Sequence, residues 1–582
     1  MKPENKKQKT LLDLAVIVFF IVFSVMYYYG TMESLEKLGR FSLGGDGGRI
    51  AGFAAALDDN VRFAGDGILA DTNDFGFYTT IHIPLIQFIN QYTNSYSEAF
   101  MFLLGPHVFL HLAGFYLLGV LLLKSRMLGI LLSLLCFINI STEFSTYWGI
   151  SHVTLPRVSF SAVAGFYIAA AFYWRKEYRV WPWLMGATGL LMYIHPVSAP
   201  TFALALWFGF WGYRIPDWSL RNRTLYLIFS GACFLAVALP FIFNYMSLHE
   251  VNTSTNVGYI NMIRSKIIVG DIIDYLQALY TLLVRLLVEI PLIPMAILGA
   301  WLIFYKGRQE ERSIAKLFGL WMAGVVASSV VVHSISIESA KLFDVTPVQV
   351  ELVRGIRLLI PFLICFILWS SICFLSSFRA FSKYWPKLRG ILGSISIVML
   401  VWILRWSDFL PVLLNTETIL LKVTGQPEKI IPTHPRAEFI AAIPVHTPPK
   451  SIIFLYSITS SVEQAVRHTA LRPVSYSRGD ATVLYYGNQE KLIRWFETLK
   501  SFGKAGISDP GEMTVRERTI NLLKDARERF STFIAYPKVE EIYGELDHDY
   551  LAGQGVVVWS NEEYVLFRLQ EVAPIFRTGG QG

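Results

Sequence analysis

Repeated apolar runs of membrane-spanning length constrain this chain more than any other feature of its sequence. A transmembrane helix needs about 20 mostly apolar residues, because the hydrocarbon core of a bilayer is about 30 Å thick. Of the 582 residues, 53% are hydrophobic and 16% are charged. The apolar runs are Leu11–Tyr29, Met101–Leu123, Met127–Ile140, Phe160–Trp174, Trp181–Ile194, Pro200–Tyr213, Leu225–Phe243, Leu282–Tyr305, Leu317–His333, Ile356–Phe374 and Ile391–Leu410. We therefore predict a polytopic α-helical membrane protein with about eleven transmembrane helices within residues 11–410.

Basic residues indicate which loops face the cytoplasm. Residues 1–10 form a basic tail, and basic clusters then occupy every second loop between the apolar runs. Because cytoplasmic loops are enriched in Lys and Arg, this pattern places the N-terminus inside and, after an odd number of spans, residues 411–582 outside. The net charge of +7 is explained by these loops, so we infer no nucleic-acid partner. The predicted location is the plasma membrane, in a bacterium the inner membrane, with a periplasmic or extracytoplasmic C-terminus.

The region 411–582 has the composition of a soluble domain, and we predict an α/β fold for it. Alternating or continuous short apolar runs indicate strands, and apolar residues at helical spacing indicate helices. Thr514 and Glu517 form a capping-box pattern that begins a helix. The predicted strands are Ser451–Tyr456, Ala481–Tyr486, Gly555–Trp559 and Tyr564–Leu569, the last two forming a hairpin, and the other predicted helices are Ser461–His468 and Gln489–Phe502.

The outer loop 30–100, which follows the first span, concentrates carboxylates between Ser42 and Asp74. Apolar residues recur there at i, i+3, i+4 and i+7, which predicts a short amphipathic helix along the membrane surface. Asp46 stands where that helix begins, so its carboxylate can meet the positive end of the helix dipole. The segment Asp71–Asp74 superficially suggests a calcium loop, but Phe75 occupies a ligand position and His82 stands where the closing Glu belongs.

This arrangement resembles the GT-C superfamily of integral-membrane glycosyltransferases, which use polyprenyl-phosphate sugars as donors. In those enzymes the first span leads into a long outer loop with an early acidic residue on a juxtamembrane helix. The segment from Asp46 to Ala54, DGGRIAGFA, looks like a divergent form of the helix that opens this loop in lipid A aminoarabinose transferases and protein O-mannosyltransferases. The acidic neighbour found there is replaced by Gly47, so the use of a divalent cation stays open.

The resemblance implies a base that takes the proton of an acceptor hydroxyl, a role that a carboxylate can fill. We predict Asp46 as this base and Asp66 as its acidic helper. Helix capping would explain Asp46 equally well, and a polar turn would explain Asp66. Asp58 and Asp59, at the end of the predicted helix, are secondary candidates that a solvated helix terminus also explains.

The departing lipid phosphate needs cations at the outer end of the membrane helices. Arg354 and Arg357 are three residues apart, so both can face one groove, and arginine binds phosphate with two parallel hydrogen bonds. Snorkelling to lipid headgroups is the alternative. Arg157 and His195 are predicted to line the same site. The further candidates are Arg49 for phosphate or substrate binding and His152 for acceptor contact.

These patterns together predict a glycosyltransferase, inverting if a single displacement operates, that moves a sugar from a polyprenyl-phosphate donor to a glycan, lipid or protein acceptor on the outer face. One alternative is a transporter or flippase for a lipid-linked glycan, which would carry charges at the bilayer midplane and paired broken helices in two halves. Another is a non-catalytic assembly protein of envelope polysaccharide synthesis. Asp46 should be dispensable in such a scaffold.

Overall fold

The computed structural model describes residues 6–37, 45–138, 140, 148–150, 156–213, 218–252, 257–264, 279–343, 352–376, 391, 434–458, 460–502, 513–539 and 544–570. Among these residues, twelve α-helices precede residue 264: α1 (Lys6–Lys37), α2 (Gly45–Asp58), α3 (Thr72–Phe75), α4 (His82–Asn90), α5 (Tyr96–Phe102), α6 (Leu104–Leu123), α7 (Arg126–Phe137), α8 (Pro156–Tyr173), α9 (Trp181–Gly189), α10 (Ala199–Gly212), α11 (Leu220–Asn252) and α12 (Val257–Ile263). Those that follow up to residue 376 are α13 (Leu292–Lys306), α14 (Gln309–Val326), α15 (His333–Leu342) and α16 (Leu359–Ser376), with a 3₁₀ helix over Leu352–Leu358 before α16.

Five helical stretches in the described part are long and apolar enough to cross a membrane: Leu11–Met32, Tyr96–Leu123, Leu220–Ser247, Gln309–Ser336 and Leu352–Ser376. The pair Leu279–Glu289 and Leu292–Lys306 is bent by 65° and would add a sixth if it is one span. The chain therefore has the character of a membrane-embedded protein, but the predicted eleven spans are not confirmed. Several apolar runs form helices shorter than a bilayer needs, such as α10 with 14 residues, and the run Ile391–Leu410 lies, apart from residue 391, outside the described residues.

Close backbone approach holds the membrane helices together where α6 crosses α8. A Cβ atom on Gly114 would lie 2.9 Å from the backbone nitrogen of Phe166, and one on Gly165 would lie 2.7 Å from that of Phe115. Small residues at such crossings let helices pack by van der Waals contact in lipid, where the hydrophobic effect does not drive association.

The C-terminal region contains a small mixed sheet, as the sequence predicts in outline. Its strands are β1 (Ile453–Leu455), β2 (Val474–Tyr476), β3 (Phe533–Pro537), β4 (Gly555–Ser560) and β5 (Tyr564–Leu569), in the order β2-β1-β3-β5-β4. β1 runs parallel to β2 and β3, whereas β5 runs antiparallel to β3 and β4. The helices of this region are α17 (Pro435–His446), α18 (Ser460–His468), α19 (Asp480–Gly487), α20 (Gln489–Ser501), α21 (Val515–Glu528) and α22 (His548–Ala552).

Most predicted elements of this region are confirmed, but one is wrong. The hairpin β4–β5 forms, and α21 begins at the capping box in which Thr514 and Glu517 bond each other's backbone N–H groups. Residues 481–486, predicted as a strand, lie instead in helix α19. Their apolar run is buried on more than one side, with Val483, Leu484 and Tyr485 all in the core, so periodicity alone could not separate a strand from a short buried helix.

Helix α2 is where predicted, but its surroundings are not those of a surface helix. It begins after Gly45, whose φ of +60° is a left-handed conformation that glycine adopts without strain. Every residue from Ile50 to Ala56 is buried, because α2 lies between α4 and α5 on one side and α18 of the C-terminal region on the other. The prediction of a helix with one face on the membrane is therefore wrong, since partners cover it on both sides.

The loop of residues 30–100, which follows the first apolar helix, shares its hydrophobic core with the C-terminal sheet. Phe53, Phe63 and Phe75 pack in one cluster with residues of β1, α19 and α20 such as Phe454 and Trp495. A second contact fixes the loop at α3, where Asp74 forms an ion pair with Lys491 and accepts a hydrogen bond from Asn488. The loop after the first span is thus part of the C-terminal folding unit, which positions α2 and Asp46 against the membrane helices.

Candidate functional site at the junction of α2 and the membrane helices

Asp46 lies in the first turn of α2, at the edge of the buried part of this helix. Its side chain is 47% exposed and forms an ion pair with Arg49, the Oδ1–Nη1 distance being 3.2 Å. The pKa of the Tyr78 phenol is held well above its ordinary value, first by burial and then by the negative charge of Asp46. The carboxylate is therefore exposed enough to reach a ligand while its position is set by a buried helix.

Arg354 and Arg357 project from the 3₁₀ helix that precedes α16. Side chains three residues apart eclipse each other in a 3₁₀ helix. The backbone of this turn therefore places Arg354 and Arg357 on one face. Gly355 lets the turn approach α10 closely, because a Cβ atom there would lie 2.4 Å from Oγ1 of Thr201. Arg357 is buried and donates a hydrogen bond to Oγ of Ser198 at 2.5 Å.

Arg157, in the first turn of α8, is under the electrostatic influence of the carboxylate of Asp46 and of two other guanidinium groups. The charges that act on Arg157 include those of Arg357, Asp46 and Arg354. Arg157 itself is 8% exposed. Asp46, just past the first span, and the two arginines at the start of the last described span therefore all lie within electrostatic range of Arg157. Sequence separation hides this proximity, since about 300 residues lie between them.

His195 belongs to the same junction, in the His-Pro turn before α10. Its Nδ1 accepts a hydrogen bond from the backbone N–H of Ser198 at 3.1 Å, and Nη2 of Arg357 lies 3.5 Å from the same atom. Burial, followed by the charges of Arg357 and Arg157, holds the pKa of His195 well below its ordinary value. His195 is therefore neutral with its proton on Nε2, and it orients Ser198 and Arg357 without adding charge.

His82 is a member of this junction that the sequence analysis assigned no role. Its Nδ1 lies 2.7 Å from Oγ1 of Thr80, whose hydroxyl donates to the carbonyl of Tyr193, so Nδ1 carries the proton. Nε2 then accepts from Oγ of Ser159, 2.8 Å away. Burial lowers the pKa of His82 to about 4, and this neutral chain of hydrogen bonds joins the outer loop to α8. A histidine at the first position of an apolar helix was the available signal, and it is too common to single out.

Asp66 is not placed to assist Asp46, and this prediction needs correction. Its carboxylate has no exposed surface. Oδ1 accepts from the backbone N–H groups of Ile68 and Leu69, and Oδ2 accepts from Nε of Arg467 at 2.8 Å and from the N–H of Val474 at 2.7 Å. With four donors bound, the carboxylate has no lone pair left for a substrate proton. Asp66 instead anchors the outer loop to the C-terminal unit.

The secondary carboxylates also have structural contacts. Asp58 accepts hydrogen bonds from Gln87 and Tyr96, each at 2.7 Å, which ties the end of α2 to α4 and α5. Asp59 pairs with Arg62 on the surface. His152 lies outside the described residues.

The residues that the structure describes contain no group of three or more His, Cys, Asp or Glu side chains that could hold a metal ion. The junction instead offers guanidinium groups, neutral histidines and one partly exposed carboxylate. Guanidinium groups in a water-poor setting stabilise an anion, and a carboxylate beside them can accept a proton.

No protein-family model matches the chain, and no curated protein matches it either. What this junction can do chemically therefore rests on its own geometry.

Proposed function

We propose that the chain is a membrane glycosyltransferase that transfers a sugar from a polyprenyl-phosphate donor to a hydroxyl-bearing acceptor at the outer face of the plasma membrane. One observation carries this proposal: the charges of Asp46, Arg354 and Arg357 all act on the buried Arg157. A carboxylate that can serve as base and guanidinium groups that can bind phosphate are thus within electrostatic range of one buried side chain, and this reaction requires both.

In the proposed reaction Asp46 takes the proton of the acceptor hydroxyl as its oxygen attacks the anomeric carbon. The bond between that carbon and the phosphate oxygen breaks, and the electron pair leaves with the polyprenyl phosphate. Arg357, held by Ser198, and its neighbours Arg354 and Arg157 stabilise the negative charge that develops on the leaving phosphate. A single displacement of this kind inverts the anomeric configuration. No step requires a metal ion.

Orientation follows from the basic loops, so the proposal places the N-terminus in the cytoplasm and the C-terminal unit outside, in the periplasm of a bacterium. In this arrangement the role of the C-terminal unit is to hold α2, and thereby Asp46, close to the arginines. The acceptor class, whether glycan, lipid or protein, stays open within the proposal.

A flippase for a lipid-linked glycan is the second candidate, and the bent helix pair at residues 279–306 is the observation that favours it. Transporters of that type pair two broken helices in corresponding halves. The described part of the chain contains one such bent pair, and the charged groups of the junction lie at the ends of helices.

The test uses full-length protein in phosphatidylglycerol nanodiscs with synthetic undecaprenyl-phosphate hexoses. Asp46→Asn should reduce release of undecaprenyl phosphate by about 10²-fold or more, since general-base catalysis contributes factors of about 10²–10⁴. Binding of undecaprenyl phosphate itself, measured by native mass spectrometry, should be unchanged. Arg357→Lys should weaken that binding, because lysine cannot form the two parallel hydrogen bonds.

Asp59→Asn is the matched control, since Asp59 lies on the same loop and pairs only with a surface arginine among the described residues. Equal turnover in Asp46→Asn and wild type would refute the proposed base. Movement of the intact lipid-linked sugar across the membrane without release of polyprenyl phosphate would favour the flippase.

A further inference from the structure

Helix α4 exposes a stripe of apolar side chains along one side. Ile81 and Tyr92 flank the helix and are 53% and 77% exposed, and Leu85 and Phe88 within it are 37% and 58% exposed. The four positions follow the spacing i, i+4, i+7 and i+11, which is that of one helix face. The rings of Phe88 and Tyr92 pack edge to face with their centroids 5.8 Å apart. The stripe is therefore one apolar surface.

The opposite face of α4 is packed inside the protein. His82 and Ile86 are 2% and 0% exposed. Ile86 lies in one hydrophobic cluster with residues of α2 and α5, among them Ile50 and Phe100. Helix α4 thus has protein on one side, and its stripe faces the medium that surrounds the protein.

The segment around α4 carries no charged side chain. Between Asp74 and Glu98 the sequence contains no Asp, Glu, Lys or Arg. Helix α20 of the C-terminal unit has the pattern expected in water, since Glu490, Arg494 and Glu497 are exposed whereas most of its apolar residues are buried. Helix α4 reverses this pattern, because every exposed position within it is apolar.

The position of α4 in the fold accounts for this reversal. Helix α4 packs against α2 and α5, and α5 forms the first turns of Tyr96–Leu123, one of the stretches long and apolar enough to cross a membrane. Contiguous exposed apolar surface is uncommon on soluble proteins and marks a site of interaction with a partner or a membrane. Since the stripe lies beside the end of a candidate span, the nearest apolar medium is the bilayer that this span enters.

We propose that the stripe on α4 contacts the acyl chains of the outer leaflet, so that α4 is an interfacial helix with lipid on one face and protein on the other. A helix satisfies its backbone hydrogen bonds internally, so α4 can enter this layer without leaving backbone groups unpaired. Tyr92 fits the same position, since tyrosines are enriched where hydrocarbon meets headgroups. The membrane-surface helix that the sequence predicted at α2 is, in this proposal, α4.

This contact sets the height of the candidate base relative to the bilayer. Gln87 of α4 donates a hydrogen bond to Asp58 at 2.7 Å, at the end of α2, and Asp46 lies at the beginning of α2. At the start of α4, Nε2 of His82 lies 2.8 Å from Oγ of Ser159 in α8. Helix α4 thus connects the lipid surface to α2 and to the membrane helices. The inference goes beyond the proposed transferase and does not depend on it, because it concerns only the medium that α4 faces.

The test measures that medium with spin labels. Full-length protein in phosphatidylglycerol nanodiscs carries alanine in place of Cys233 and Cys373, the two partly exposed cysteines. A nitroxide is attached to Phe88→Cys or, in a second protein, to Leu85→Cys. Power-saturation EPR then compares its collisions with oxygen, which dissolves in hydrocarbon, and with a water-soluble nickel chelate. Both labels should favour oxygen, at a depth of about 5–10 Å into the boundary between headgroups and acyl chains.

Two further positions calibrate the measurement. Phe229→Cys, 56% exposed on the candidate span Leu220–Ser247, should also favour oxygen. Val445→Cys, an apolar position that is 76% exposed on α17 of the C-terminal unit, is the matched control and should favour the nickel chelate. The parent protein without an introduced cysteine should take up no label, because Cys136 and Cys365 are buried. A melting temperature close to that of the parent shows that each labelled protein is folded.

The two collision rates distinguish three surroundings of α4. Preference for oxygen at both α4 positions supports the proposal. Preference for the nickel chelate shows that the stripe faces water and overturns it. Low collision rates with both reagents show that protein covers the stripe, either a second copy of the chain or a segment outside the described residues, and this result overturns the proposal as well. None of these outcomes depends on turnover, so they are independent of the result with Asp46→Asn.

Discussion

Replacing Asp66 by asparagine should release the outer loop from the C-terminal unit. Asp66 has no exposed surface, and its partner Arg467 is 4% exposed and also holds Asp480 through two hydrogen bonds of 2.7 and 3.1 Å. An asparagine would point its NH₂ group at two donors on one side of the former carboxylate. It would also leave Arg467 with one counterion in place of two.

Breaking a buried ion pair by removing one partner costs about 3–5 kcal/mol, because the remaining charge stays buried. At 1.4 kcal/mol per factor of ten, local opening of the loop should become at least about a hundredfold more frequent. The backbone N–H groups of Ile68, Leu69 and Val474 all donate to Asp66. Their hydrogen exchange, measured by mass spectrometry on protein in nanodiscs, therefore reports the opening directly.

Asp71→Asn provides the matched control on the same loop. Asp71 caps α3 by accepting the backbone N–H of Asn73 at 2.9 Å, and asparagine caps helices as well as aspartate does. In Asp71→Asn, hydrogen exchange at the amides of Ile68, Leu69 and Val474 should match that of the wild type. If exchange at the three amides in Asp66→Asn stayed within about threefold of wild type, well below the hundredfold expected from a broken buried pair, the assigned anchoring role would be wrong.

Three further predictions follow from the geometry. Native protein retains on Glu463 a proton that the unfolded chain releases between pH 4.5 and about 7, so stability should fall by roughly 3 kcal/mol as pH rises through this window. Glu463→Gln should flatten this part of a melting-temperature profile against pH, and an unchanged slope would contradict the buried, protonated carboxyl. Gly487→Ala should lower the melting temperature, since its Cβ would lie 1.6 Å from the backbone oxygen of Asp74 and overpacking costs about 1–3 kcal/mol. Gly355→Ala should shift the arginine-bearing turn away from Thr201, and weaker binding of undecaprenyl phosphate by native mass spectrometry would show it.

Local patterns were predicted correctly where neighbouring residues alone decide the structure. Helix α2, the capping box at Thr514 and the hairpin β4–β5 depend on capping, periodicity and turn chemistry, all of which act within a few residues. The membrane character of the chain depends on apolar composition and is equally independent of tertiary packing.

The number of transmembrane spans could not be predicted from the sequence in the same way. An apolar run can cross a bilayer, bend within it or form a short buried helix, and all three have similar composition. The run Leu282–Tyr305 illustrates this, since it forms a π-helical turn at Arg285–Glu289 and then a second helix bent by 65° from the first.

The roles of the carboxylates were decided by contacts between distant segments. Asp46 and Asp66 lie on the same loop, and each is next to glycine. The structure leaves Asp46 partly exposed beside Arg49, whereas it buries Asp66 against Arg467, 401 residues away in sequence. No pattern within the loop distinguishes them.

The sequence by itself determined that this chain is largely helical, has the apolar helices of a membrane protein, and carries an acidic loop after its first apolar run and a small sheet near its C-terminus, because hydrophobicity and local propensity act residue by residue. Only the tertiary structure decided that the loop folds as part of the C-terminal unit, that Asp66 is an anchor, and that the charge of Asp46 acts on Arg157 of α8 together with the charges of Arg354 and Arg357. Burial and charge pairing are properties of the space around a side chain, and that space is filled by residues far away in the chain.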